Sequence, residues 1–265
     1  MKPASLLFPL TLAFGCASVA PPAVPPAARA ELAPTGKMRV GLIAVNPIFV
    51  TPNTPPGETR GLAVDIAREL AARVGVAMEP LRYPTVGALV ESAGKGEWDI
   101  AFLAIDPERA AAMNFTAAYM YTENTFLVPG GSTARGIEDL DLPGKTIATF
   151  ARSAQEIWLK KNAKSATLVS ASTPAAAYLM LKEGKVDAVS SAASLLAEGS
   201  KQVPGSRVLA GSFVDAPIGM AVAKGRPAAY AYAYQFIEEM NTAGTLREAI
   251  ARYGLVGVRA ATSAR

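Results

Sequence analysis

Residues 98–119, WDIAFLAIDPERAAAMNFTAAY, form the stretch around which the rest of the chain is organised. After Asp99, positions 100–105 are uninterrupted apolar. This suits a buried parallel strand, although periodicity alone does not separate that from a buried helix. The residues that follow speak more plainly. Asp106 is a strong N-cap, Pro107 suits the first helical position, and Glu108 favours the positive end of a helix dipole. Arg109 therefore falls in a first helical turn, just past the carboxyl end of a strand. Ligands bind at that edge in open α/β sheets, where helix N–H groups and a guanidinium together suit a carboxylate. Taken alone, an arginine in such a place is by default a solvated helix residue.

The chain has 265 residues, enough for one large or two modest domains. A hydrophobic share of 51% against 18% charged marks an ordered globular protein. Net charge is +4, and setting aside Lys2 and Arg29 leaves 24 positive against 22 negative residues. That balance, with no basic block interleaved with aromatics, gives no support for nucleic-acid binding. Histidine is absent and Cys16 is the sole cysteine. A Ser-His-Asp triad, a Cys-His dyad, histidine or thiolate metal sites and internal disulfides are all excluded. Nothing in the sequence asks for a cofactor or a metal.

Residues 1–30 read as an export signal, followed by a linker over 31–37. Lys2 supplies the positive start, Leu6–Phe14 a short apolar core, and Ala28-Arg29-Ala30 a small-x-small cleavage pattern. Ser18-Val19-Ala20 is a second candidate, with Pro21 as a poor neighbour. Ala13-Phe14-Gly15-Cys16 distantly resembles a lipoprotein box, which makes Cys16 a candidate lipidation site. No later segment approaches the ~20 apolar residues of a membrane span.

Residues 38–45 suit a first strand, 61–74 an amphipathic helix, 76–82 a second strand and 85–95 another helix. The pattern continues with a strand at 125–128, then Pro129-Gly130-Gly131-Ser132, whose linker-like composition suggests the first crossing between lobes. A second α/β unit follows: a strand at 145–150, a capping box at Ser153–Glu156, and a helix opened by Thr173-Pro174. Strands at 186–189, 206–213 and 218–223 come next, then helices over 227–240 and 245–253. This alternation implies an α/β protein, with lobe 1 formed by 38–128 plus 219–256, lobe 2 by 129–218, and 257–265 a flexible tail.

In this order the residues resemble the bacterial family 3 extracellular solute-binding proteins, receptors of polar amino-acid ABC importers. The resemblance rests on Gly61-Leu62-x-Val64-Asp65-Ile66, on Asp99 with Glu108-Arg109 and Phe115-Thr116-x-x-Tyr119, and on Leu142-x-Gly144-Lys145. Gly184-Lys185-Val186-Asp187-Ala188 and Ala243-Gly244-Thr245 through Tyr253-Gly254 complete it. It implies a two-lobed periplasmic-binding-protein fold (type II), hinge-linked lobes with mixed, mostly parallel sheets, and no cofactor. It further implies a monomer that hands its solute to ABC permease subunits. Arg109 matches the arginine that holds the ligand's α-carboxylate; Ser153 and Ala154 match the helix start that meets the same group. Asn46, Phe49 and Val86 fall near ligand-contacting loops, although as residue types Phe49 and Val86 suit a core and Asn46 a turn.

Departures from the family pattern are equally informative. Positions usually small and hydroxylic are here Ala101, Phe102 and Ala104, and the position of the ligand-ammonium aspartate is Ala192. An ammonium without a carboxylate would cost several kcal/mol. The expected ligand therefore keeps a carboxylate, is either an amino acid or, as the departures favour, a relative lacking the amino group, and lays an apolar or aromatic body against Phe102. Arg152, where the family has glycine, either holds a second acidic group or is a surface arginine. The expected function is a non-enzymatic, extracytoplasmic binding protein. An enzyme on the same fold, similar to cyclohexadienyl dehydratases, and a ligand-sensing receptor are the alternatives.

Overall fold

The computed structural model describes residues 23–52 and 58–261. The first lobe opens with Pro26–Leu32 (α1), Lys37–Ile43 (β1), Leu62–Val74 (α2), Ala77–Tyr83 (β2), Val86–Glu91 (α3), Ile100–Ala104 (β3) and Pro107–Ala112 (α4). Met113–Val128 (β4) then leads into Thr146–Phe150 (β5), Ala154–Asn162 (α5), Thr167–Ala171 (β6), Pro174–Lys182 (α6), Ala188–Ala192 (β7), Ala193–Ser200 (α7) and Arg207–Val208 (β8). Val214–Ala223 (β9) returns to Pro227–Ala243 (α8), Thr245–Tyr253 (α9) and Val258–Ala260 (β10).

The sheet runs β2-β1-β3-β9-β4-β7-β5-β6, with β8 and β10 both pairing with β4. β1 is parallel to β2 and β3, and β5 is parallel to β6 and β7. The long strands β4 and β9 enter antiparallel between these two blocks. One hydrophobic core fills the first block, built on Leu42, Ile66, Phe102, Met220 and Phe236. In the second block neighbouring residues serve opposite faces, as strand geometry demands. Leu127, Ala148 and Val189 pack under α6 and α7, while Phe126, Ile147 and Ala188 pack with Leu159 of α5.

Local chemistry sets the helix starts. The Asp106 carboxylate accepts from the N–H groups of Glu108 and Arg109, at 2.9 and 3.3 Å. Ser153 Oγ accepts from Glu156 N at 3.1 Å and Thr173 Oγ1 from Ala176 N at 3.2 Å. Each cap satisfies a first-turn N–H that the helix itself leaves unpaired. Gly61, just before α2, has φ 145°, and a Cβ there would overlap the Phe49 carbonyl oxygen. The absence of a side chain lets the 46–50 loop lie against the helix start.

Several expectations are revised. The crossing is carried inside β4, which pairs with β9 up to Asn124↔Val214 and with β7 from Asn124↔Ala192 onward. Pro129-Gly130 merely ends that strand. Asn124 ties the crossing strands together, because its Nδ2 donates to Thr122 O and Val214 O at 3.1 and 2.9 Å. The segment 206–213 supplies only the two-residue β8. Within the expected flexible tail, Val258–Ala260 form β10, which pairs with β4. The 31–37 segment is not a linker: α1 runs through Leu32 and β1 starts at Lys37. Cys16 and most of the expected leader lie outside the described residues.

The half-buried Asp141 illustrates how lobe 2 is stitched. Its carboxylate accepts from the backbone N–H groups of Ala166, Lys164 and Ser165, which hold its pKa below the ordinary value. A depressed folded pKa means that this stabilisation is complete above about pH 4 and is lost as pH falls through the folded value. Asp141→Asn should lower the melting temperature at neutral pH and shrink the fall in stability below about pH 4. Parallel acid limbs in pH-resolved melting curves of the two proteins would contradict this.

Candidate functional site

The β3–α4 junction sets Arg109 into the space between the lobes. The residue is 4% exposed. Its Nη1 donates to Ala104 O at 2.8 Å in lobe 1, and its Nη2 donates to Arg152 O at 2.7 Å in lobe 2. Nε has no hydrogen-bond partner. Burial lowers the guanidinium's pKa, while Asp106 and Glu108 act in the opposite sense. A guanidinium stays charged in proteins, so a cation sits here with two neutral carbonyls and no carboxylate against it. Arg109 is thus a buried residue that reaches both lobes, rather than a solvated helix residue.

Two cavities share walls beside it. The one at Arg109 has a volume of about 50 Å³ and is lined by Asn46, Phe49, Val86, Ala104, Thr122, Ser153, Ala154, Gln155 and Ala192, among others. Its neighbour, of about 70 Å³, adds Val45, Pro84, Phe150, Pro174, Ser191 and Leu195 to shared residues Ile43, Asn46, Val86, Ser153, Gln155 and Ala192. Among the described residues, no aspartate or glutamate lines either cavity. Asp106 and Glu108 face a separate groove with Ile157 and Trp158.

Two helices start in this wall. α5 begins at Ala154 behind the Ser153 cap, and α7 begins at Ala193 behind Ala192, which brings no capping side chain. Both therefore turn the positive end of a helix dipole toward the cavities.

The structure thus brings Arg109, Ala104, Ser153, Ala154, Ala192, Asn46, Phe49 and Val86 to one cleft. Phe102 does not belong there. It is 0% exposed in the lobe 1 core and meets Tyr119 edge-on, with ring centroids 5.9 Å apart. The apolar wall comes instead from Phe150, Leu195, Pro174 and Val45. Arg152 offers its backbone rather than its side chain. Its Nη1 pairs with Glu91 Oε1 at 2.7 Å, a contact between exposed side chains of opposite lobes. Its N–H donates to Glu156 Oε2 at 2.6 Å, and its carbonyl receives Arg109. Burial would raise the Glu156 pKa, but hydrogen bonds from Ser170, Arg152 N–H and Lys160 outweigh it and hold the carboxyl below its usual range.

Gln155 and Asn124 escaped the sequence reading. Gln155 lines both cavities, and its Nε2 donates to Asn124 Oδ1, linking the start of α5 to the crossing strands. Only the position of Gln155, two residues after the Ser153 cap, hinted at this.

Two α/β blocks joined by crossing strands, with an arginine-bearing cleft between them, define the periplasmic-binding-protein fold. The particular family follows from comparison. Residues 38–256 match the model of the bacterial extracellular solute-binding proteins, family 3, and the chain belongs to that family. It is 28% identical to a glutamine-binding protein of Geobacillus stearothermophilus over 71% of this chain and 73% of that one. Among solved structures it is similar to a mutant of ArgBP from T. maritima, with TM-score 0.73 and 25% identity, over 86% of this chain and 99% of that one. It shares the fold of the ancestral amino acid-binding protein AncCDT-1, a precursor of cyclohexadienyl dehydratase, with TM-score 0.73 and 24% identity, over 85% of this chain and 98% of that one.

Arg152 has φ 59°, a left-handed conformation that costs a residue with a Cβ about 1 kcal/mol. Its exposed pair with Glu91 is worth at most about 1 kcal/mol. Arg152→Gly should therefore leave the melting temperature nearly unchanged, whereas Arg152→Ala should be less stable than the glycine variant by about 1 kcal/mol. Equal stability of the two variants in urea titrations would show that this backbone is unstrained.

Proposed function

We propose that this chain is the extracytoplasmic receptor of an ABC importer, and that its solute is a small carboxylate without an ammonium group. The observation that carries the reading is the buried Arg109 guanidinium, its Nε unpartnered, in a cleft whose described walls hold no acid. A ligand carboxylate would meet Arg109 together with the helix start at Ser153 and Ala154, a charge-assisted contact strengthened by exclusion of water. Asn46, Phe49, Val86, Ala104 and Ala192 would enclose it, and the apolar body would extend toward Phe150 and Leu195. An ammonium would find two helix dipoles of the wrong sign and no countercharge, at a cost of several kcal/mol. The similarity to an ABC transporter glutamine-binding protein of Bacillus subtilis supports the importer role at the level of the family. Such a role implies a periplasmic location, export by the leader and delivery to permease subunits, with the lobes closing on the solute.

The enzyme alternative is weaker. Elimination of water from a carboxylated ring needs a general acid within reach of the leaving hydroxyl. The nearby acids Asp106 and Glu108 face another groove, and Asp106 is occupied as a helix cap.

The test is thermal melting against matched sets of α-amino acids, 2-oxo acids and plain carboxylates bearing the same side chain. A ligand at 100 times its Kd stabilises the fold by about 2.7 kcal/mol. Carboxylates lacking the amino group should give such shifts, Arg109→Met should abolish them, and the ligand should be recovered unchanged. Shifts from α-amino acids alone would overturn the ligand class, and recovery of a converted product would replace the receptor with an enzyme.

A further inference from the structure

Helix α1 lies away from the cleft, on the face of lobe 1 that α8 covers. Within it Ala28 is 1% exposed and Leu32 0% exposed. Arg29 Nη2 donates to Gly75 O at 3.3 Å, reaching the end of α2. Glu31 does more. The Arg226 side chain makes no cap at the start of α8, and Glu31 Oε2 takes that place by accepting from Ala229 N at 2.8 Å. The Glu31 carbonyl accepts from Arg226 Nη1 at 3.1 Å, and the same nitrogen donates to Asp99 Oδ1 at 2.6 Å. Asp99 is fully buried and also holds Arg39, at 2.8 Å. The first helix is thus wired into the ion-pair cluster beneath the central strand β3.

We propose that Pro26–Leu32 is a permanent element of the working protein, and that the export cut falls before Pro26 rather than after Ala30. This goes beyond the receptor reading but rests on the export it includes. A cut after Ala30 would delete the buried Ala28 and leave two residues of a seven-residue helix. It would also create an α-ammonium on Glu31, the residue whose carbonyl the Arg226 guanidinium holds. A third positive charge at that cluster opposes the pairing that keeps Asp99 satisfied. Processing at Ser18-Val19-Ala20 or ahead of Cys16 leaves the helix whole, and the 21–25 stretch, rich in proline, then serves as a short lead-in.

The test combines two measurements. The full chain is expressed in a Gram-negative host, recovered from the cell envelope, and its N-terminus read by intact mass and sequencing. A start between residues 16 and 25 is expected, and a start at Glu31 would overturn the proposal. In parallel, chains begun at Ala23 and at Glu31, each behind an initiator methionine, are made in the cytoplasm and melted. The shorter chain should melt lower by roughly 5 °C or more, or fail to fold, and equal melting temperatures would overturn the proposal. Glu31→Ala in the longer chain, which removes the cap on Ala229 N–H and keeps the Glu31 carbonyl contact, should also melt lower, and an unchanged melting temperature would count against the proposal. An uncut, unexported chain would sink the export reading alone, leaving the start-site pair to decide the role of α1.

Discussion

The two bonds from Arg109 to carbonyls on opposite sides of the cleft are the contact on which the site depends. Nη1 reaches Ala104 O and Nη2 reaches Arg152 O, so one guanidinium spans both lobes. Carbonyls satisfy donors without neutralising charge. A cation buried to 4% exposure with only neutral partners is costly. Under the proposed function that cost would fall when an anion enters beside Nε, and closure of the lobes around the anion would be favoured for the same reason. Under the proposed receptor function, binding and closure would be coupled through this one side chain rather than through a chain of intermediaries.

The scaffold holds that side chain by fixing both of its acceptors. On the first lobe, Ala104 ends β3, and β3 is anchored at its other end by Asp99 between Arg39 and Arg226. On the second lobe, the Arg152 peptide is oriented by Glu156, whose carboxylate receives the Arg152 N–H, while Ser153 caps the helix that carries Glu156. Asn124 sits where the two ladders of the crossing strands meet and takes a hydrogen bond from Gln155 in the cleft wall. The crossing strands and the cleft wall thus share a residue contact.

What could be read from the sequence follows the reach of each interaction. Asp106, Ser153 and Thr173 cap the helices they announce, because a cap is settled within four residues. Arg109 was legible for the same reason: the cap and the preceding strand fix its place. Phe102 was misplaced because an uninterrupted apolar run does not say which of its alternating side chains faces the core. Arg152 could not be assigned because its partner, Glu91, lies in the other lobe and far back in the chain. The β10–β4 pairing and the docking of α1 on α8 are likewise long-range contacts between segments that, read alone, have the composition of a tail and a leader.

Selectivity in this cleft is more a matter of what is withheld than of what is supplied. In the proposed site, Arg109 and the start of α5 would attract any carboxylate, amino acids included, so they could not by themselves separate an amino acid from its deaminated counterpart. On the proposed reading the separation would come at Ala192, where an aspartate would both cap α7 and offer a countercharge to an ammonium. Alanine does neither, and it leaves the positive end of α7 directed at the cavities. Rejection by an unpaired buried charge is a strong filter, because several kcal/mol correspond to more than a hundredfold in affinity. The apolar surfaces of Phe150, Leu195 and Pro174 then favour a ligand body without polar ends, and weakly so, since a methylene more or less changes little. On these grounds the cleft should be strict about charge and tolerant about the shape of the apolar part.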